Sequence, residues 1–232
     1  MKEEMFEMQV ELLQPWSTFV MKTKLPPQIF EKMLRITYEI VENGGGEGSY
    51  DVGAGQMKDQ FKIDFKILEQ EELMEFFLDV CRNYVIQAFC QSLPIERETI
   101  LKEEWLTKLE GIWINSQKDN EYFTLHNHNN CALSSVMYLK IPEYLPSRRT
   151  YWKDPNYNDD GAIVFSSNSS DTKWSKPYLQ IQPQLGDFFL FPAEQLHQVY
   201  PFRTPDGKGE RRSVSFNALF SSKSEQDILK KH

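Results

Sequence analysis

Apolar residues recur at helical spacing early in the chain. Ile29, Met33, Ile36, Thr37, Ile40 and Val41 fall on one face and predict an amphipathic helix. Pro26-Pro27 suits its first turn, and Asn43 with Gly44-Gly45-Gly46 stops it. Leu73, Phe76, Phe77, Val80, Tyr84, Val85 and Phe89 mark a second such helix, ending near Pro94. The glycine-rich stretch from Gly44 to Gly55 reads as a flexible linker. A phosphate-cradling loop would need a strand before it, and here a helix precedes it.

After Leu101 the texture changes. Short runs rich in Val, Ile, Phe and Tyr alternate with turn clusters such as Leu185-Gly186-Asp187 and Thr204-Pro205-Asp206-Gly207. They predict strands at Gly111–Ser116, Tyr122–His128, Ser134–Ile141, Ala162–Ser166, Tyr178–Gln182, Phe188–Phe191, His197–Tyr200 and Arg211–Phe220. Eight strands behind N-terminal helices predict a mainly β protein, a double-stranded β-helix (jelly roll, cupin-like) with flanking α-helices. The expected organisation is one domain over residues 1–232, with a helical layer over 1–100 and the β core over 101–222.

The net charge of −8 argues against bulk nucleic-acid binding, which rests on clustered Lys and Arg. Cys81, Cys90 and Cys131 have no zinc or disulfide spacing, which suggests a reducing compartment. The opening Met1-Lys2-Glu3-Glu4-Met5 lacks the apolar core of a signal peptide, and no apolar run has the length of a transmembrane helix. The expectation is a cytoplasmic protein without a membrane anchor.

The candidate chemistry lies in the β region. His126-Asn127-His128 places two imidazoles at i and i+2, which on a strand share a face. A jelly roll brings distant strands side by side, so His197 is a geometrically reasonable third ligand. Neutral imidazole suits Fe, Zn and Cu, and three ligands on one face leave coordination positions open. The last strong strand puts Arg211, Ser213, Ser215 and Asn217 on one face and Arg212, Val214, Phe216 and Ala218 on the other. That polar face is either solvated or lines a cavity that receives a carboxylate, which arginine binds as a bidentate fork. Asp187 reads as a turn cap, Cys131 as a small buried side chain, and Trp105, Trp113, Trp152 and Trp174 as packing residues.

Trp113-Ile114-Asn115, His126-Asn127-His128, Leu133 to Leu139, Gly161 to Phe165, Gly186 to Pro192, His197, and Arg211 to Asn217 together carry a resemblance. In that order and spacing they resemble the Fe(II)/2-oxoglutarate-dependent dioxygenases, in particular the 2OG-Fe(II) oxygenase group related to the prolyl hydroxylases. The resemblance covers roughly the C-terminal half. It implies an iron(II) centre on His126, His128 and His197, with 2-oxoglutarate and O2 as co-substrates. It implies that Arg211 and Ser213 hold the distal carboxylate, helped by Tyr138, with Asn115 toward the keto-acid end. The implied reaction is hydroxylation of a substrate with release of succinate and CO2. One departure stands out: His128 occupies a position where most such families have Asp.

Two other readings stay open. One is a cupin-like three-histidine metal protein that does not use 2-oxoglutarate, which the missing carboxylate supports. The other is a non-catalytic jelly-roll binding module, since fold alone does not fix function. The primary substrate is not written in the sequence; a protein side chain such as proline is the analogy that the resemblance offers. The loop from Pro142 to Asp160, with Tyr144, Tyr151, Trp152 and Tyr157, is the candidate cover of the cleft.

Overall fold

The computed structural model describes residues 19–43, 57–93, 95–146, 158–167 and 177–224. The glycine-rich stretch from Gly44 to Gly55, most of the Pro142–Asp160 loop, Trp152 and Trp174 lie outside the described residues.

The described chain runs β1 (Met21–Lys24), α1 (Pro27–Glu42), β2 (Gln60–Lys62), α2 (Phe65–Gln70), α3 (Met74–Ser92), α4 (Arg97–Lys102) and β3 (Trp105–Lys118). It continues with β4 (Phe123–His126), β5 (Leu133–Lys140), β6 (Ile163–Ser166), β7 (Tyr178–Ile181), β8 (Asp187–Pro192), β9 (His197–Val199) and β10 (Glu210–Ser222). The strands form two antiparallel sheets. The larger has the order β1-β8-β5-β10-β3-β2, and the smaller β4-β9-β6-β7. This is a double-stranded β-helix with helices against the larger sheet.

Strand parity explains the layering. Met137, Leu139, Phe188, Leu190, Val214, Phe216 and Ala218 face the helices and pack with Met33, Ile36, Phe77 and Val85. Val136, Tyr138, Phe189 and Phe191 face the smaller sheet and meet Ile163 and Phe165. β8 and residues 136–139 of β5 are therefore buried on both faces and read as continuous apolar runs, whereas β10 keeps a polar face. Among the described residues, no helix is long and apolar enough to cross a membrane.

The N-terminal region is more than a helical layer. β1 pairs with β8 and β2 with β3, so both become edge strands of the larger sheet. Their sequences, Met-Lys-Thr-Lys and Gln-Phe-Lys, are too short and charged to signal strands; lysine is a usual edge-strand residue. Lys22 and Lys24 reach the buried carboxylate of Asp187 at 3.1 and 2.7 Å, and Asp187 also accepts the Gln184 N–H at 2.9 Å. Asp187 thus caps its turn and ties β1 to the sheet. Two six-residue helices are too short to show a periodic signal. One is α2, whose start Asp64 caps by accepting the Lys66 N–H at 2.9 Å; the other is α4.

At the start of β10, Glu210 gathers Lys140 at 2.8 Å, Ser116 Oγ at 2.7 Å and the Arg212 guanidinium at 2.7 Å. Arg212 is buried and stacks on Tyr38 of α1, with its guanidinium carbon 4.4 Å from the ring centroid. Burial alone would raise the Glu210 pKa, but Lys140, Ser116 and Arg212 hold it down to about 2. A depressed carboxylate contributes stability above its unfolded value, and that contribution is lost as pH falls from about 4.5 toward about 2. Glu210→Gln is expected to cost about 3–5 kcal/mol at neutral pH, since it leaves Arg212 buried without its anion. Urea unfolding from pH 7 to 3 checks this: the deficit against the wild type should shrink in acid.

Candidate metal and anion site

β4 and β9 are antiparallel neighbours, and their register sets His126 directly opposite His197. Side chains in that relation meet across the ladder, and the two ring centroids are 4.2 Å apart. His128 arrives differently. The sequence pattern predicts a strand through His128, but β4 ends at His126. The next segment leaves the ladder, and the His128 N–H binds Ala193 O at 2.9 Å, in the turn between β8 and β9. The ring still returns to the same point, with centroids 5.3 Å from those of both other histidines. One ring nitrogen from each histidine lies within 4.8 Å of the others.

The three rings are prepared as neutral donors. Burial pushes the His126 pKa down against the opposing Thr124 bond. Burial, then the nearby His126, takes His128 to about 4. Burial, then His126, takes His197 to about 3, against the Gln195 bond. His126 Nδ1 donates to Thr124 O at 2.7 Å and His197 Nδ1 to Gln195 O at 2.8 Å. A carbonyl only accepts, so in both rings the proton sits on Nδ1 and the Nε2 lone pair is free. Three neutral imidazoles with open neighbouring space fit a borderline first-row metal such as iron(II).

The same cleft continues along β10. It encloses about 530 Å³, counting the part open to solvent, and its walls include Trp113, Asn115, Tyr138, Arg211, Ser213 and the three histidines. Register explains the convergence: Ser213 lies opposite Asn115 of β3 and opposite Tyr138 of β5, and Arg211 lies opposite Gln117. Arg211 is 2 % exposed and Arg212 3 %, yet they serve different layers. Arg211 turns to the cleft, and Arg212 to Glu210 and Tyr38.

Arg211 donates one N–H to Gly161 O and another to Gln117 Oε1, and its guanidinium carbon lies 5.4 Å from the Tyr138 ring centroid. A guanidinium has five N–H donors, so others remain, and Nε is buried without a partner. The buried Tyr138 hydroxyl is also without one. Among the described residues no carboxylate pairs with Arg211. A buried cation beside orphaned donors fits an anion from outside the chain. Asn115 is already engaged, accepting from Gln60 at 2.7 Å and donating to Ser215 at 3.3 Å.

Gln117 and Gly161, which pin the guanidinium, escaped the sequence reading, as did the cleft-lining role of Trp113. Parity offered a signal for two of them: Trp113, Asn115 and Gln117 alternate along β3. Cys131 is partly exposed and is not among the cleft residues.

Residues 111–217, a little under half of the chain, match the family described as "Putative 2OG-Fe(II) oxygenase". No curated protein matches the chain in sequence. Among solved structures, a Pseudomonas putida prolyl-4-hydroxylase aligns at 15% identity and TM-score 0.52, over 86% of this chain and 91% of its own. A Trichoplax adhaerens prolyl hydroxylase, in complex with a hypoxia inducible factor oxygen degradation domain peptide fragment, aligns at 12% identity and TM-score 0.52, over 91% and 86%. The non-heme alpha ketoglutarate dependent epimerase SnoN from nogalamycin biosynthesis aligns at 13% identity and TM-score 0.51, over 86% and 78%. At these identities the likeness is one of fold.

Proposed function

We propose that this chain, whose residues 111–217 match the 2OG-Fe(II) oxygenase family, is an iron(II)- and 2-oxoglutarate-dependent dioxygenase that hydroxylates its substrate and releases succinate and CO2. The observation that carries the reading is Arg211, a buried cation without an acidic partner among the described residues, in one cleft with three neutral histidines.

The roles follow from the contacts. His126, His128 and His197 would hold the iron. Arg211 would receive the distal carboxylate of 2-oxoglutarate through the donors left over from Gly161 and Gln117. Tyr138 and Ser213 would supply hydroxyls to the same carboxylate, and Asn115 would face the keto-acid end. Iron(II) bound there would supply the redox chemistry that couples decarboxylation of 2-oxoglutarate to oxidation of a substrate C–H bond. The protein's part is to orient the co-substrate and exclude water. Three neutral ligands would leave the charge of a bound metal uncompensated, and a 2-oxoglutarate dianion held by Arg211 would offset it.

A protein side chain such as proline is the substrate class that the fold likeness to two prolyl hydroxylases supports. The epimerase on the same fold is a reminder that outcome and fold are separable. The missing carboxylate ligand favours a rival, a cupin-like three-histidine protein with no use for 2-oxoglutarate. Anaerobic loading with Fe(II), then addition of 2-oxoglutarate and O2, separates the two. Succinate formation is expected. Iron bound with no succinate, and no change on adding 2-oxoglutarate, would favour the rival. Proline-containing peptides that gain one oxygen would support the substrate class.

A further inference from the structure

We propose that Asn217 is a positioning residue that sets which nitrogen of His128 carries the proton, and so whether the nitrogen left for the other two histidines is a bare donor. The inference rests on reading those histidines as metal ligands.

His126 and His197 carry their own tautomer control, a backbone carbonyl two residues back along the chain. His128 has left the ladder, and its ring has a different neighbour: Asn217 Nδ2 lies 3.3 Å from its Nδ1. The Asn217 Oδ1 atom is buried without a partner. An amide presents its oxygen and nitrogen from one plane, and half a turn about Cβ–Cγ exchanges them. With nitrogen toward the ring, the amide donates to a bare Nδ1. The His128 proton then sits on Nε2, the nitrogen left for the cluster, and that form cannot be a ligand. With oxygen toward the ring, the amide accepts the Nδ1 proton and frees the Nε2 lone pair. Asn217 therefore decides whether His128 is a donor to a metal or a spectator, without any change of charge.

The strand is shaped for this contact. Asn217 shares the face of β10 that carries Arg211, Ser213 and Ser215, and the ladder with β3 slips between Asn217 and Ala218. Such irregularities re-aim a side chain. Partners that orient an imidazole by holding its second nitrogen typically change metal affinity by about 10–100-fold when removed.

The test uses Zn(II) as a diamagnetic probe, with affinity from calorimetry and the ring protons from NMR of 15N-histidine-labelled protein. Wild type should bind Zn(II) and show a His128 Nδ1–H protected from solvent exchange. Asn217→Leu should weaken Zn(II) by about 10–100-fold and lose that protection. Asn217→Asp, which also accepts from Nδ1–H, should restore both. Asn217→Ala serves as a second deletion if the leucine variant does not fold. Deletion variants with wild-type affinity and an unchanged Nδ1–H signal would overturn the proposal. So would Asn217→Asp binding as weakly as Asn217→Leu, since packing alone would then explain the loss. A wild type that takes up no Zn(II) at the histidines would remove the ligand reading itself, and this inference with it.

Discussion

Arg211→Ala is expected to raise the 2-oxoglutarate concentration needed for turnover by at least about 30-fold, while Arg212→Ala leaves it nearly unchanged. Removing a charge-assisted partner from a buried carboxylate costs about 2–5 kcal/mol, which at about 1.4 kcal/mol per tenfold is roughly 30-fold to a few thousandfold. The two arginines are adjacent, equally buried and opposite in facing. Arg211 lines the cleft beside the Tyr138 ring. Arg212 pairs with Glu210 and stacks on α1, so its loss should appear as lower stability. Ser213→Ala should weaken 2-oxoglutarate by about 0.5–1.5 kcal/mol. Titrating 2-oxoglutarate against the three variants, with thermal unfolding in parallel, tests the assignment. A large shift in Arg212→Ala with none in Arg211→Ala would reverse the two roles. No shift in any of them would leave the three-histidine rival as the better account.

The separation of the arginines was legible because a strand has a period of two, so parity alone assigns Arg211, Ser213 and Ser215 to one face. β8 and residues 136–139 of β5 were legible for a different reason: burial on both faces makes them apolar. β1 and β2 were not, because a short, lysine-bearing edge strand owes its pairing to a partner far away in sequence. β8 lies more than 160 residues after β1, and no local pattern records that. His128 shows the same limit at the scale of the site. The i, i+2 rule places it beside His126, but the local backbone is set by a bond to Ala193, which the sequence does not announce. Gln117 and Gly161 were invisible as a clamp because their role is defined only by where the Arg211 side chain ends.

His197→Ala and His126→Ala are expected to abolish iron(II) uptake and turnover while leaving the fold largely intact. Each would supply one of the three proposed donors, so the loss should exceed the roughly 10–100-fold typical of a partner that only orients a ligand. His197 is the more sensitive position. It is 5 % exposed, its Nδ1 is held by Gln195 O, and it packs edge-on to Phe191 with ring centroids 4.8 Å apart. Its removal also opens a cavity, so unfolding must be followed alongside metal content. Burial holds His128 near about 4 and His197 near about 3, so at neutral pH the metal displaces no proton from either ring. Proton competition at His128 and His197 should therefore take little from iron affinity between pH 8 and 6, and begin only in more acidic solution. His128→Asp is the informative contrast. The carboxylate stays within the same segment anchored to Ala193, and it replaces a neutral donor by an anionic one, so iron binding should survive. The contact with Asn217 then changes character, because a carboxylate can only accept and the amide must present its nitrogen. Anaerobic iron titration of the three variants decides the matter. Wild-type affinity in either alanine variant removes that histidine from the ligand set. Complete loss of iron in His128→Asp would mean that the cleft is shaped around an imidazole at this position.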